Sequence, residues 1–433
     1  MTAEASTKPA FWMGAVPPHW EVKALKFCAD LVTERLDGSG LSARYIGLEH
    51  IEGKTGRLVR LDGSQDAAES TVNCFCRDDV LFGKLRPYLA KAAVADSDGV
   101  CSSEILVYRP HGLTPEYLKH VMLLDGFIEE VNSSTYGSKM PRADASFVSR
   151  LPVPQPPVEE QAAIASYLDA ETARIDALIE EKQRLIELLR ELRGGVIRER
   201  TAGLDRIGAR HETGNQFMPT LPEGWMLVGL GRYTSITNGS TPLKDNAAFW
   251  EGGTYPWLNS AVVNGDEVTE GSELVTPEAL RLCHLPIVPA GSVLVALTGQ
   301  GKTRGQATVL RIEATINQHL AAIVCDGDHL NGEFLFWVLT GQYAALRMVS
   351  DGQGGTKGAL TCDELGRFPI PKPPVTDQRH IAKVLYEETR RIDELLEHVR
   401  REIATLQELR SSTITDAVLG RLRVPSATQR ADE

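Results

Sequence analysis

The sequence predicts two mixed α/β (α+β) domains, each followed by a long helix. The two helices are predicted to pack as an antiparallel intramolecular coiled coil with internal pseudo-twofold symmetry. Three observations predict this fold class. A stretch of 54 residues occurs twice, a proline-rich link opens each copy, and the apolar residues after each link have helical spacing.

The repeat sets the architecture. Adding 217 to any residue number from 151 to 204 gives its counterpart without a gap, and 24 of these 54 positions are identical. This period is far longer than that of a solenoid repeat, so it indicates a duplicated domain. The duplication extends to the globular parts, because Val16-Pro-Pro-His-Trp20 opens the first and Leu221-Pro-Glu-Gly-Trp225 opens the second.

A proline link is predicted to lead into each long helix. The link lies within 151–161 in the first copy and within 368–378 in the second. Closely spaced prolines favour an extended segment that cannot join a helix. Beyond the links, steps of three and four residues indicate a heptad seam. The predicted seam residues are Ile175, Leu178, Leu185, Leu189, Leu192 and Val196, then Ile392, Leu395, Val399, Leu406 and Leu409. Lys182 and Glu402 interrupt the seams at different places, and an intramolecular pair is favoured over a homodimeric zipper because both helices lie on one chain.

These signals divide the chain into five segments. They are a first domain (1–150), a link and central helix (151–205), a polar linker and second domain (206–367), a link and C-terminal helix (368–422) and a tail (423–433). Residues before Val16 and the tail are predicted to be disordered. Strands are predicted over 41–52, 79–82, 104–108 and 307–312, and helices begin at Thr114 and Asn331.

Composition narrows the class of protein. Hydrophobic residues make up 42% and charged residues 24%, as in soluble globular proteins, and we expect a cytoplasmic location. No apolar run reaches the length of a membrane span, and the seven cysteines form no CxxC pair, so we expect reduced thiols and no metal. The net charge of −12 argues at face value against nucleic-acid binding. Basic residues cluster in particular loops, however, so any contact with DNA is expected to be local or shared with another subunit.

Three basic loops are candidates for binding nucleic acid. The first supplies Lys84, Arg86, Tyr88 and Lys91 after a strand, and the second supplies Gln300, Lys302, Thr303, Arg304 and Gln306. The third is a pair of matching segments containing Ser138 and Lys139 in one half and Thr356 and Lys357 in the other. Cations, hydroxyls and amides suit phosphates and base edges. Solvated loops or helix-terminating turns remain alternatives for each.

Catalytic motifs are absent from the sequence. Gly-Lys-Thr at 301–303 resembles the end of a phosphate-binding loop, but position 296 is Ala where that motif needs Gly, and a strand is predicted to follow where a helix should. The Pro-Pro pairs do not form the tetrapeptide of an amino-methyltransferase, and no HExxH, GxSxG or GxGxxG occurs. We therefore predict that the chain performs no chemistry alone.

The combined pattern resembles the DNA-specificity subunit of type I restriction-modification systems. The Pro-x-x-Trp openings, the two proline links, the Ile-Asp-x-Leu helices at 175–178 and 392–395, and the two basic loops carry the resemblance over about residues 16–422. The resemblance implies a non-catalytic subunit in which each target-recognition domain reads one half of a bipartite asymmetric DNA target. It also implies a helical spacer that docks two methylation subunits, with restriction subunits joining the complex.

The resemblance further implies that this chain holds no cofactor. S-adenosylmethionine, ATP and magnesium are expected in the partner subunits. Arg174 and Arg391, beside the helix seam, are the candidate partner-binding residues. Two alternatives remain at this point: a recognition module of another restriction class, which should carry methyltransferase motifs, and a coiled-coil protein scaffold without DNA binding.

Overall fold

The structure is a computed structural model that describes residues 12–38, 43–59, 71–137, 139–271, 273–299, 301–351 and 358–424. It divides into two compact units, Met1–Gln183 with Arg400–Glu433, and Arg184–Val399. Each unit contains one globular domain and parts of both long helices. Residues 1–11 and 425–433, predicted to be disordered, lie outside the described residues. Met13 was predicted to be disordered too, but this is wrong, because its side chain is fully buried in the core.

Within its described residues, the first unit combines two four-stranded sheets with one two-stranded sheet and three short helices. The strands are β1 (Glu21–Ala24), β2 (Ala29–Val32), β3 (Arg35–Asp37), β4 (Tyr45–Ile46), β5 (Thr71–Phe75), β6 (Val80–Gly83), β7 (Ala92–Val94), β8 (Gly99–Ser102), β9 (Ile105–Pro110) and β10 (Pro152–Gln155). The helices are α1 (Pro115–Met122), α2 (Asp125–Ser133) and α3 (Ala145–Arg150), before the long α4 (Val158–Thr201). The sheet orders are β2-β9-β6-β7 and β3-β5-β8-β4.

The predicted strands at 79–82 and 104–108 become β6 and β9, which pair antiparallel at the centre of one sheet. The strand predicted over 41–52 is wrong in length. Only Tyr45–Ile46 is strand among its described residues, and a 3-10 turn over Leu48–His50 follows; residues 41 and 42 lie outside the described residues. The turn forms because the Gly47 amide donates to the His50 ring at 2.8 Å, and such local bonds compete with a ladder.

The second unit has a related arrangement with more strands among the residues that the structure describes. They are β11 (Arg210–Glu212), β12 (Thr220–Pro222), β13 (Met226–Gly229), β14 (Thr234–Asn238), β15 (Tyr255–Leu258), β16 (Glu267–Val268), β17 (Glu273–Val275), β18 (Val293–Ala296), β19 (Ala307–Leu310), β20 (Thr315–Ile316), β21 (Leu320–Cys325) and β22 (Pro369–Lys372). The helices are α5 (Ala247–Trp250), α6 (Pro277–Leu282), α7 (Gly332–Gly341), α8 (Tyr343–Asp351), α9 (Cys362–Arg367) and the long α10 (Val375–Val418). The larger sheets have the orders β14-β21-β18-β19-β16 and β17-β15-β20.

The segment predicted as a polar linker, 206–219, is more ordered than expected. Arg210–Glu212 forms β11 and pairs with β12. The Arg210 guanidinium donates to the Gly203 carbonyl at 2.6 Å and to the Thr220 carbonyl at 3.0 Å. The first bond holds β11 to the turn just after α4, and the second holds it to β12.

The proline links are β-strands. Pro152–Gln155 pairs antiparallel with β1, and Pro369–Lys372 pairs in the equivalent way with β13. The Leu25 amide donates to the Leu151 carbonyl, so the alternate positions 152 and 154 have their nitrogens turned away from β1. Proline can occupy those positions because it has no N–H to contribute to the ladder.

The two long helices pack antiparallel, as the sequence predicts. In the first unit Ile164 and Leu168 near the start of α4 share a core with Ile414 and Ala417 near the end of α10. In the second unit Ile197, near the end of α4, shares a core with residues near the start of α10, Ile381 and Leu385. None of the helices in the described part of the chain combines the length and the apolar character needed to cross a bilayer.

The predicted seam is partly wrong. In α4 the predicted and observed seams share Ile175, Leu189 and Val196. The other residues of the observed seam lie one position later than predicted. Ile186 is 8% exposed whereas Leu192 is 52% exposed, and in α10 Leu396 is 5% exposed whereas Leu395 is 51% exposed. The two polar interruptions meet each other, because Lys182 Nζ lies 2.9 Å from Glu402 Oε2 in the first unit.

Candidate nucleic-acid interface

The first predicted basic loop connects β6 to β7. Arg86 and Ala90 both adopt left-handed backbone conformations, with φ of 51° and 47°, and a 3-10 turn over Pro87–Leu89 lies between them. The Arg86 amide donates to the Pro141 carbonyl at 2.8 Å, and the Lys84 amide donates to the Glu104 carbonyl at 2.9 Å. A pinned backbone thus presents the exposed side chains of Arg86 and Tyr88.

The third predicted segment of this domain lies against that loop. The Ala143 amide donates to the Lys84 carbonyl, and Leu85 forms a bridge with Arg142. Lys139 and Tyr136 are exposed on the same segment, while Ser138 lies outside the described residues. The structure therefore brings two of the predicted groups together, with two cations and two phenols on joined loops. Such a set can bind phosphates and stack on bases.

A cavity of about 390 Å³ elsewhere in this unit is lined by the loop at 52–57 and by helix residues, whereas a smaller one of about 220 Å³ adjoins Lys84. Polar residues line the smaller cavity: Arg35, Asn73, Lys84, Ser103, Tyr136 and Asp144. The Asp144 carboxylate caps α3 by accepting from the Phe147 amide at 2.8 Å, and the hydrogen bond from Ser146 is the main cause that lowers its pKa. The cavity can accept a polar group that reaches in from the loop surface.

Two of the predicted cations have structural contacts. Lys91 is half-buried, and its ammonium donates to the Leu48 carbonyl at 2.6 Å. Arg304 is only 5% exposed and forms an ion pair with Asp351 beneath its loop. An inward-facing guanidinium is poorly placed to touch a ligand, so the position of Arg304 favours a role in holding the loop.

The second basic loop connects β18 to β19 and is fixed by α8. The Tyr343 hydroxyl donates to the Lys302 carbonyl at 2.8 Å, and Arg347 donates to the Gly301 carbonyl at 2.6 Å. Lys302 is exposed, whereas Thr303 and Gln306 are half-buried. The predicted residues Gln300, Thr356 and Lys357 lie outside the described residues. As predicted, a strand follows this loop, so it has no phosphate-binding-loop context.

Sequence reasoning missed a polar network beside the second loop. Thr241 Oγ1 donates to Gln318 Oε1 at 2.6 Å, and Thr298 Oγ1 lies 2.9 Å from His319 Nδ1. The Thr241 loop is also held by Lys244, whose ammonium lies 3.8 Å from the ring centre of Trp250. No motif spacing signals this network, because the fold alone brings together residues 241, 298 and 318. Threonine and glutamine side chains at a domain surface can read base edges.

At the equivalent place the first domain carries different groups. The Lys84 amide bonds to the Glu104 carbonyl as the Leu297 amide bonds to the His319 carbonyl, so Glu104 and His319 correspond. Glu104 accepts from Arg142 at 3.0 Å, and this carboxylate is the main cause that raises the pKa of Arg142. The two domains thus share the backbone hydrogen bond at this position and differ in the side chains that the backbone carries there.

Comparison with known proteins identifies the family. The family model described as the type I restriction modification DNA specificity domain matches residues 70–188 and 222–405, which is more than half of the chain. The chain belongs to this DNA specificity family. The two matched segments lie one in each half of the duplication, and each includes part of a long helix.

One relative in the specificity family covers nearly the whole chain, and another covers part of it. The protein named as the MjaX type I restriction enzyme specificity subunit of Methanocaldococcus jannaschii is 23% identical over 95% of this chain and 96% of its own length. The EcoR124I/EcoR124II specificity subunit of Escherichia coli is 22% identical over 41% of this chain and 44% of its own length.

Solved structures show the same fold. A chain from a structure described as the basis of complex assembly and conformational transition of the type I R-M system matches with a TM-score of 0.71 and 23% identity. It covers 94% of this chain and 99% of its own length. The HsdS subunit from Thermoanaerobacter tengcongensis matches with a TM-score of 0.55 and 23% identity, over 94% and 98%.

The predicted partner-binding arginines of this specificity-family chain are both exposed on the long helices. Arg174 forms a fork with Glu171 on its own helix, at 2.6 and 3.0 Å, and this carboxylate is the main cause that raises its pKa. Arg391 lies on the exposed face of α10. Within the described residues, no group of three or more His, Cys, Asp or Glu side chains is arranged to hold a metal ion.

Proposed function

We propose that the chain is the non-catalytic DNA-recognition subunit of a type I restriction-modification complex. Each globular domain reads one half of a bipartite, asymmetric DNA target, and the helix pair sets the gap between the halves. The observation that carries this proposal is the duplicated specificity domain, which repeats one scaffold and places different side chains, such as Glu104 and His319, at equivalent sites. Different groups on equivalent frames suit two different half-sites.

The partners follow from the same architecture. Two like repeats of one chain suit two methylation subunits, which dock on the helix faces that carry Arg174 and Arg391, and restriction subunits join this complex. S-adenosylmethionine, ATP and magnesium belong to those partners in this proposal. The methylation subunits also supply phosphate contacts, which makes the net charge of −12 tolerable. Because its target is DNA inside a prokaryotic cell, we assign the complex to the cytoplasm.

Within the first domain we assign DNA contact to Lys84, Arg86, Tyr88 and Lys139. Their support is that the β6–β7 loop is hydrogen-bonded to the segment around Arg142 and that Arg86, Tyr88 and Lys139 are exposed, while Lys84 is half-buried beside the smaller cavity. In the second domain we assign it to Lys302 and to the network of Thr241 and Gln318. The coiled-coil scaffold without DNA binding is not favoured, because the family match covers both domains and not the helices alone.

The test is single-molecule sequencing of DNA from the host and from a strain that lacks the gene. We expect the deletion to abolish adenine methylation at one asymmetric two-part motif with a fixed gap, and the wild-type gene to restore it. Unchanged methylation, in a host shown to express this chain and its methylation partner, would contradict the proposal and favour the scaffold.

Complementation with Arg86→Ala tests the assigned surface. We expect methylation at the motif to fall, because the loop loses a phosphate or base contact. The matched control is Arg77→Ala, which removes another exposed arginine at the opposite end of strand β6 and should leave methylation unchanged. Equal effects of the two substitutions would place the interface elsewhere on the domain.

A further inference from the structure

Two arginines, one on each long helix, make the same contact in the two copies of the repeat. Arg193 and Arg410 are equivalent in the repeat, and so are Asp176 and Asp393, because each pair is separated by 217 positions. In the second unit Arg193 Nε lies 3.0 Å from Asp393 Oδ1, and in the first unit Arg410 Nε lies 2.8 Å from Asp176 Oδ1. Each arginine therefore bridges from one long helix to the other.

Each of these guanidinium groups also reaches its own globular domain. Arg193 Nη2 lies 2.5 Å from Asp266 Oδ2, immediately before strand β16. The Asp266 carbonyl in turn accepts from the Val309 amide at 2.9 Å, so this aspartate is fixed to the sheet. In the first unit Arg410 Nη1 donates to the Lys54 carbonyl at 3.0 Å. One side chain thus joins a helix, the opposite helix and a domain.

The arginines in these contacts are largely shielded from water, although the Asp266 and Asp393 carboxylates are about half exposed. The Arg193 side chain is 19% exposed and the Arg410 side chain is 11% exposed, whereas the Arg390–Glu394 pair on the outside of α10 is more than 60% exposed. Burial would lower the pKa of Arg193, but the Asp266 and Asp393 carboxylates more than offset this and raise it. Shielding strengthens a charged contact, and the planar guanidinium also fixes its direction.

Stability alone does not explain an arginine at these positions. Both lie where the observed seam continues, one heptad after Ile186 and Ile403, and an apolar side chain would fill such a place at least as well. What the arginine adds is a directional link to a third element. Both units repeat this link, although the acceptor groups on the two domains differ. The repetition indicates that both copies keep the arginine because it makes the link.

We propose that Arg193 and Arg410 are positioning residues that fix each domain on the helix pair and thereby fix the gap between half-sites. This inference rests on the proposed function. Each base pair added to the gap moves a half-site by about 3.4 Å and turns it by about 35° around the duplex. A domain held at both a helix and its partner cannot follow that change, whereas a loosened domain can.

The test uses the complete methylation complex with DNA duplexes that carry both half-sites. Their gap is native, one base pair shorter or one base pair longer, and the initial methylation rate is measured for each. Asp266→Ala removes only the domain contact, leaves the Arg193–Asp393 pair and changes a half-exposed residue. We expect the ratio of altered-gap to native-gap rates to rise about tenfold, as when one charge-assisted contact no longer disfavours a second state.

Two further variants complete the test. Arg193→Lys keeps the charge but loses the fork, so its ratio should lie between those of wild type and Asp266→Ala. Arg390→Ala removes an exposed arginine from the same helix pair and should keep the wild-type ratio. If Asp266→Ala and Arg193→Lys slow methylation with an unchanged ratio, the contact is only structural and the inference is overturned. Wild-type complex that methylates regardless of half-site or gap would instead overturn the proposed function.

Discussion

A buried glutamine at the start of each long helix provides a quantitative test of the duplicated scaffold. Gln161 is 1% exposed and its repeat equivalent Gln378 is fully buried. Gln161 Oε1 accepts from the Thr114 amide at 2.7 Å, and its Nε2 donates to the Pro156 carbonyl at 2.8 Å and to the Gly112 carbonyl at 3.4 Å. Gln378 makes the matching three bonds, with the Asn331 amide and two carbonyls, at 2.8 to 2.9 Å.

These bonds fix the magnitude that we expect. Each bond contributes about 1 kcal/mol net. Losing the side chain leaves the partly buried Thr114 amide and the buried Pro156 carbonyl without this partner, whereas the Gly112 carbonyl keeps its bond from the Gln155 side-chain amide at 2.9 Å. Because each buried group left unsatisfied costs about 1–3 kcal/mol, Gln161→Ala should cost the first unit about 3 kcal/mol. Gln161→Glu should cost still more. Its carboxylate keeps the volume and the acceptor, but it cannot donate and would face two carbonyl oxygens.

Hydrogen–deuterium exchange followed by mass spectrometry separates the two units. Gln161→Ala should raise exchange in α1 and in the first turns of α4, and Gln378→Ala should do so in α7 and in the first turns of α10, by similar factors. The loss of about 3 kcal/mol corresponds to about a hundredfold faster exchange where opening of that element limits it. Wild-type exchange in Gln161→Glu, or equal effects of either substitution on both units, would refute the reasoning.

Three further outcomes follow from single side chains. Lys302→Ala should weaken DNA binding by the complex and lower its salt slope by about 1, whereas Arg304→Ala should lower the melting temperature with little change in that slope; the reverse pattern would contradict the burial argument. Gly420→Ala places a Cβ 2.4 Å from Pro17 Cγ at a φ of 67°, so it should cost about 1–3 kcal/mol in urea unfolding, unlike Gly195→Ala, whose Cβ meets nothing within 4 Å. Burial lowers the pKa of His120 against the effect of Asp169. The unfolded chain therefore takes up a proton first as the pH falls below about 6.5, and the first unit should lose stability there; His120→Gln should flatten that slope.

The fold class could be predicted from the sequence because the duplication relates segments that lie 217 residues apart in the chain. A repeat with proline links and heptad spacing constrains the fold far more than any single strand does. The sequence did not determine which residues face the seam between the two long helices. Positions 178 and 179 are both apolar in both copies, and residues 192 and 409 are leucines whereas 193 and 410 are arginines. Spacing alone therefore favoured the leucines, and the buried ion pairs of the arginines could be seen only in three dimensions.

The candidate site was predictable in part. Exposed loop cations such as Arg86 and Lys302 follow from turn signals after strands, and the structure places both on the surface. Arg304 belonged to the same sequence pattern, yet its side chain turns inward to Asp351, because a loop of left-handed glycines can direct neighbouring residues to opposite sides. Gln318 and Thr241 are 77 residues apart and meet only through the pairing of β14 with β21.

Comparing the two copies within this one chain distinguishes residues that maintain the scaffold from residues that are available to recognise DNA. Some side chains are identical in the two copies and make the same bonds in both units: the buried glutamines at 161 and 378, the buried threonines at 172 and 389, and the partly buried arginines at 193 and 410. Loop side chains on the equivalent frames differ, as Glu104 and His319 do. A common ancestor of the halves would have presented one set of loop groups twice and favoured a symmetric target. Divergence in the loops therefore changes what each half reads, while the bonds that both copies keep on the helix pair fix where it reads.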